Sequence, residues 1–160
     1  MLVLWVGRRP PEALTELIRP YAARLARFGP FAEQQVRPAL GRDGDPRRAL
    51  AAEAVSLCRH LQAGDTLVAL DEAGRRCTSE ELAQLLARWR DRGRVVFAVG
   101  GDLGLDEVFK RAANERLALS HLTLSHQLAR LVLLEQLYRA CDILAGGRYH
   151  RGSRGQGVGV

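Results

Sequence analysis

An α/β fold, one domain with a mostly parallel sheet and helices on both faces, is predicted by three features of this 160-residue chain. Residues 2–6, 66–70 and 94–99 are almost continuously apolar, the pattern of strands buried on both sides. Segments of helical period alternate with them, as they do where helices cover a parallel sheet. Two of the later strand-to-loop junctions, at Val99-Gly100-Gly101 and at Leu119-Ser120-His121, would leave the same sheet edge, where open α/β sheets bind ligands.

The elements follow in order. Residues 2–6 form a buried strand ended by Gly7. Pro10 and Pro11 open a helix to about Phe28, with Leu14, Leu17, Ile18, Tyr21 and Leu25 on one face; Pro20 predicts a kink or break. Residues 31–36 read as a weak strand and residues 41–46 as a loop, with Arg42 in it and Arg47 and Arg48 at its exit. A helix then runs to about Leu61, with Leu50, Ala54, Leu57 and Leu61 inward. After the strand at 66–70, residues 71–76 read as a polar loop. Thr78 and Glu81 have capping-box spacing, so a helix starts there and runs to about Asp91 on Leu82, Leu85, Leu86 and Trp89. The strand at 94–99 is followed by a short helix (104–114), a short strand (117–119) and a final helix from about Gln127 to Ala145. Gly146-Gly147 suits a left-handed cap. No repeat or interdomain linker interrupts this order. Residues 1–151 are expected to be the domain and 152–160 a flexible glycine-rich tail.

A formal net charge of +6 and a pI near 10.0 favour a polyanionic partner, nucleic acid first and an anionic membrane second. Lys110 is the only lysine; the other cations are arginines, which suit bidentate phosphate recognition and equally follow from a GC-rich genome. Cys58, Cys77 and Cys141 have neither disulfide nor zinc spacing and read as reduced thiols, consistent with a cytoplasmic protein. No run has the length of a membrane span, and the apolar start is too short for a signal peptide.

Chemistry is concentrated in the last third. Gly100-Gly101-Asp102-Leu103-Gly104 follows a strand and lacks the dinucleotide-binding spacing. It reads either as a tight turn or as a place where a ligand meets main chain. Residues 120–126 mix hydroxyls with leucines ahead of an apolar helix, and His121 and His126 there have structural readings as well as functional ones. Glu135 and Arg139 are an i,i+4 pair in a helix that is apolar nearly all round, which points to an interface or a site. Arg148-Tyr149-His150-Arg151 suits base stacking and phosphate pairing; otherwise it is a solvated tail.

These stretches together resemble the RlmH family, the ribosomal large-subunit (23S rRNA) pseudouridine N3-methyltransferases of the SPOUT superfamily. Val6-Gly7, Tyr21-Ala22-Ala23-Arg24-Leu25, Leu70-Asp71-Glu72-Ala73-Gly74 and Thr78-Ser79-Glu80-Glu81-Leu82-Ala83 extend the likeness over nearly the whole chain to Arg151. The resemblance implies an α/β trefoil-knot fold and a homodimer with the final helix in its interface. It implies S-adenosylmethionine bound by Leu70, Gly100, Leu119, Ser120, His121, Leu122, Thr123 and Leu124, and a tail that reaches the other subunit's cofactor pocket. His126, Tyr149 and His150 are then candidates to assist loss of the N3 proton, and Arg139 and Arg151 to position rRNA or the developing anion. Arg8, Arg9, Arg75 and Arg76 become phosphate contacts. The chain departs from the family where it has Gly100-Gly101-Asp102-Leu103-Gly104 for Gly-Gly-Pro-Glu-Gly, and Leu124-Ser125-His126-Gln127 for Leu-Pro-His-Pro. Two other readings stay open: a SPOUT enzyme acting on tRNA, and a non-catalytic ribosome-binding or assembly protein.

Overall fold

The structure is a computed structural model and describes residues 1–39 and 44–149. Five strands, β1 (Leu2–Val6), β2 (Ala32–Val36), β3 (Thr66–Arg75), β4 (Val95–Val99) and β5 (Glu115–Leu117), form one sheet in the order β2-β1-β4-β3-β5. Every pairing is parallel. The connecting helices are α1 (Glu12–Leu25, ending in a 3₁₀ turn, Ala26–Phe28), α2 (Pro46–Cys58), α3 (Ser79–Arg90) and α4 (Glu107–Ala112); α5 (His126–Leu144) follows the last strand.

Alternation along the strands splits the core in two. Val3, Trp5, Val68, Phe97 and Val99 meet Ile18 and Leu25 of α1, Leu82 and Leu86 of α3, and Leu133, Leu134 and Leu137 of α5. Leu4, Val6, Leu67, Val96 and Ala98 meet Leu57 of α2 and Phe109 of α4 on the opposite face. β2 is an edge strand, and only Val36 of its five residues is buried, which explains its weak apolar signal.

The caps were legible. Glu81 N–H donates to Thr78 Oγ1 at 3.1 Å while Thr78 N–H donates to Glu81 Oε2 at 2.7 Å. Gly146 has φ 69°, and the N–H groups of Gly146 and Gly147 return to the carbonyls of Ile143 and Asp142, a Schellman closure.

Four expectations need correction. Residues 71–75 are not a loop: β3 runs on to Arg75, and its register with β5 jumps between Leu70 and Arg75, both opposite Leu117. β5 lies at Glu115–Leu117, two residues earlier than expected, because Asn114 Oδ1 accepts from Leu67 N–H and sets its start. The first helix does not break at Pro20, which is solvent-exposed, so water can reach the carbonyl its missing donor leaves free. In α2 the buried positions are Ala49, Glu53 and Leu57, a stripe rotated from the apolar one; the Glu53 carboxylate accepts from Ala39 N–H at 2.9 Å. Arg42 and residues 150–160, including the expected tail, lie outside the described residues.

Arg94 clamps the amino ends of β3 and β4. Its Nε and Nη2 donate to Asp65 at 2.8 and 2.6 Å, and Nη2 also reaches the His60 carbonyl. The Arg94 hydrogen bond holds the Asp65 carboxyl below its usual range, against an opposing desolvation. A lowered folded-state pKa stabilises at neutral pH, and the contribution fades as pH falls below about 4. Asp65→Asn should therefore cost about 2 kcal/mol at pH 7 and less near pH 3, read by urea unfolding at both. An equal cost at the two pH values would contradict this.

Candidate cofactor and active site

The carboxyl edge of the sheet carries a cavity of about 520 Å³, within the usual range for small-molecule sites. Leu70, Val99 and Leu117, at the ends of β3, β4 and β5, line its base. One wall is the loop after β4. There Gly104 N–H donates to the Gly101 carbonyl at 3.0 Å, so Gly101–Gly104 is a β-turn with Asp102 and Leu103 at its tip. Gly100 admits no side chain: a Cβ there would stand 2.7 Å from Gly104 Cα and closer still to its carbonyl.

The opposite wall is the loop between β5 and α5. Ser120 Oγ accepts from Leu122 N–H at 2.9 Å, and Ser125 Oγ caps α5 by accepting from Leu128 N–H at 3.4 Å. Ser125 thus supplies by hydrogen bonding some of the order that proline would supply covalently. Of the eight expected cofactor residues, Leu70, Gly100, Leu119, Ser120, Leu122, Thr123 and Leu124 line this one cavity. His121 is exposed and does not.

The cavity also takes in residues the sequence did not single out as ligands. Asp71 and Glu72 enter from the unexpected continuation of β3, and Lys110 from α4. Asp71 faces Lys110 Nζ at 3.7 Å and Arg116 Nη1 at 3.4 Å, and Lys110 pairs with Glu107 at 2.5 Å. The signals for Asp71 and Glu72 were their place directly after a buried strand and the Leu70-Asp71-Glu72-Ala73-Gly74 stretch of the family resemblance, neither of which marks them as ligands.

The expected catalytic residues divide between two places. His126 lines the cavity, with Nδ1 2.8 Å from Asp102 Oδ1. Arg139 lies 13 positions on along α5, about 20 Å away at 1.5 Å per residue. There Arg139 donates to Glu135 Oε1 at 2.6 Å and lies over the Tyr149 ring at 4.7 Å, while Tyr149 Oη donates to the same Glu135 oxygen at 3.2 Å. Burial, with Tyr21 and Glu135 alongside, pushes the Tyr149 phenol above its usual pKa. Within this chain Tyr149 is therefore a hydrogen-bond donor rather than a base. His150 and Arg151 lie outside the described residues. Among the described residues no cluster of His, Cys, Asp and Glu could hold a metal ion, and no helix is long and apolar enough to cross a membrane.

A parallel sheet whose carboxyl edge carries two loops around one cavity defines an α/β protein with a small-molecule site. The family model described as Predicted SPOUT methyltransferase matches residues 1–150. The chain belongs to this family of SPOUT methyltransferases. Its relatives include the ribosomal RNA large subunit methyltransferase H of Dechloromonas aromatica (strain RCB), 41% identical over 152 residues, covering 94% of this chain and 97% of that one. The protein of the same name from Stenotrophomonas maltophilia (strain R551-3) is 40% identical over 147 residues, covering 91% and 94%. A solved structure, a probable methyltransferase from Bordetella pertussis Tohama I, superposes with a TM-score of 0.52 at 20% identity, covering 88% of this chain and 95% of that one, and shows the same fold.

Proposed function

We propose that this protein is a cytoplasmic, homodimeric enzyme that methylates N3 of a pseudouridine in 23S rRNA on the assembled ribosome, using S-adenosylmethionine. The observation that carries the cofactor assignment is the cavity itself: seven of the eight residues expected to hold S-adenosylmethionine converge on it from three separate stretches of chain. The lining also fits the group's charge. Asp71, Glu72 and Asp102 outnumber Lys110 there, which favours a cationic sulfonium and ammonium. The pressing of Gly74 against the Arg116–Leu117 backbone, where a Cβ would stand 2.7 Å from Leu117 N, supports the close chain crossing expected of a trefoil knot in the domain spanning 1–151.

When bound, S-adenosylmethionine supplies a methyl group already activated on sulfur, whose bond electrons leave with the thioether. The remaining demands fall on protein groups: the target imide must be aligned, and its proton accepted. Alignment in a well-formed site contributes up to about 7–11 kcal/mol. His126 is placed to take the N3 proton, since it lines the cavity and Tyr149 is committed as a donor. Arg139 and Tyr149, with His150 and Arg151 beyond them, would serve the pocket of the partner subunit. The distance along α5 between His126 and Arg139 supports this reading, as do the exposed Leu128 and Leu144 on the same helix.

Arg8, Arg9, Arg75 and Arg76 are exposed and lie at or just beyond the carboxyl ends of β1 and β3. We assign them to phosphate contacts. Replacing any one by alanine should reduce the slope of log affinity against log salt by about 0.7–0.9, measured on rRNA binding. An unchanged slope would remove that arginine from the interface. Calorimetric titration with S-adenosylmethionine separates the enzyme from a non-catalytic ribosome-binding protein, which would release no heat.

A further inference from the structure

We infer that Asp102 is a positioning residue for proton transfer: it fixes the tautomer of His126 so that Nε2 presents a lone pair to the substrate. This rests on the reading of His126 as the proton acceptor. Asp102 occupies the second position of the Gly101–Gly104 turn, a position that proline favours and where the RlmH pattern has it. Proline there can only shape the turn. Aspartate also reaches across the cavity mouth, from the β4 loop to the first residue of α5, and stands 2.8 Å from His126 Nδ1.

A carboxylate beside Nδ1 favours the tautomer with the proton there, because it can accept but not donate, and so leaves Nε2 as the base. The ring has little freedom to answer otherwise. Its side chain is 15% exposed, against 90% for Asp102, and it lies so near Gly7 that a Cβ there would sit 3.3 Å from His126 Cδ2. The carboxylate thus reaches in from solvent to an imidazole held by the end of β1 and the start of α5. In the transfer, the N3–H bond of the substrate breaks and an Nε2–H bond forms. The imidazolium so made carries both its protons, with Nδ1 beside the Asp102 carboxylate. The same device orients histidine bases in other enzymes, where a carboxylate holds Nδ1–H and stabilises the charged ring.

The test combines ¹⁵N-histidine NMR with kinetics on the full chain. In the unsubstituted protein at neutral pH, the His126 resonances should be those of an Nδ1–H imidazole. Asp102→Ala and Asp102→Pro should shift them toward the Nε2–H form, the proline variant because it suits the turn yet lacks the acceptor. Both should lower kcat for methyl transfer, measured at saturating S-adenosylmethionine, about tenfold, less than the about 10²–10⁴-fold that a whole general base contributes. Asp102→Glu, which keeps a carboxylate that can only accept, should restore the tautomer and most of kcat, whereas Asp102→Asn, whose amide can also donate to Nδ1, should not. A His126 tautomer indifferent to position 102 would overturn the pairing, and a switch of tautomer with unchanged kcat would overturn its role. If the unsubstituted chain moves no methyl group although the tautomer switches, the functional reading fails and takes the role of Asp102 with it.

Discussion

Replacing Gly100 by alanine should lower affinity for S-adenosylmethionine by about two orders of magnitude, equivalent to about 3 kcal/mol. The cause is geometric. The added Cβ meets the main chain of Gly104, not a flexible side chain, so the Gly101–Gly104 turn must move as a unit. That turn is one wall of the cavity, and a shift of its backbone changes the surface that main-chain recognition depends on. The sheet should survive. β4 ends at Val99, before the substitution, and its pairs with β1 and β3 are all upstream. Calorimetry gives the affinity and far-ultraviolet circular dichroism the fold. Wild-type affinity in a folded G100A protein would place the cofactor elsewhere.

Arg139→Ala should reduce methyl transfer about 10³-fold while leaving cofactor affinity within twofold, because Arg139 lies far along α5 from the cavity. The substitution should not unfold the helix. Glu135, the ionic partner of Arg139, keeps hydrogen bonds from Tyr149 Oη at 3.2 Å and Gln136 Nε2 at 2.6 Å. A complementation experiment then follows. In the proposed homodimer, neither G100A nor R139A dimers should turn over. Mixed dimers would join the intact pocket of an R139A chain to the intact Arg139 of a G100A chain. Subunit exchange at equal amounts makes half the dimers mixed, each with one working site, so about one quarter of wild-type activity should return. No recovery would mean that each subunit relies on its own Arg139.

Much of this was legible in the sequence because it is written in local signals. The strands at 2–6 and 66–70 are runs too apolar to be anything but doubly covered, the Thr78–Glu81 spacing is a cap, and Gly146-Gly147 closes a helix. The cavity proposed for the cofactor was legible only in part. Its loops were recognisable from glycines, hydroxyls and their place after strands. Asp71 and Glu72 were not recognisable as part of it, since an irregular strand continuation has no apolar alternation to mark it. The shifted stripe of α2 was misread because a buried glutamate satisfied by one backbone N–H looks in sequence like a solvated one. The pairing of Asp102 with His126 joins residues 24 positions apart, and no periodicity encodes it. Nor did the sequence show that His126 and Arg139, both on α5, stand at different places in one subunit.

The most direct test is transfer of a labelled methyl group from S-adenosylmethionine to purified substrates offered in parallel: assembled ribosomes containing pseudouridine in 23S rRNA, ribosomes lacking it, and tRNA. The account predicts label in the first alone, near one methyl group per ribosome, mapping to N3 of a pseudouridine. Label in tRNA, or none in ribosomes from a protein that binds the cofactor, would contradict it.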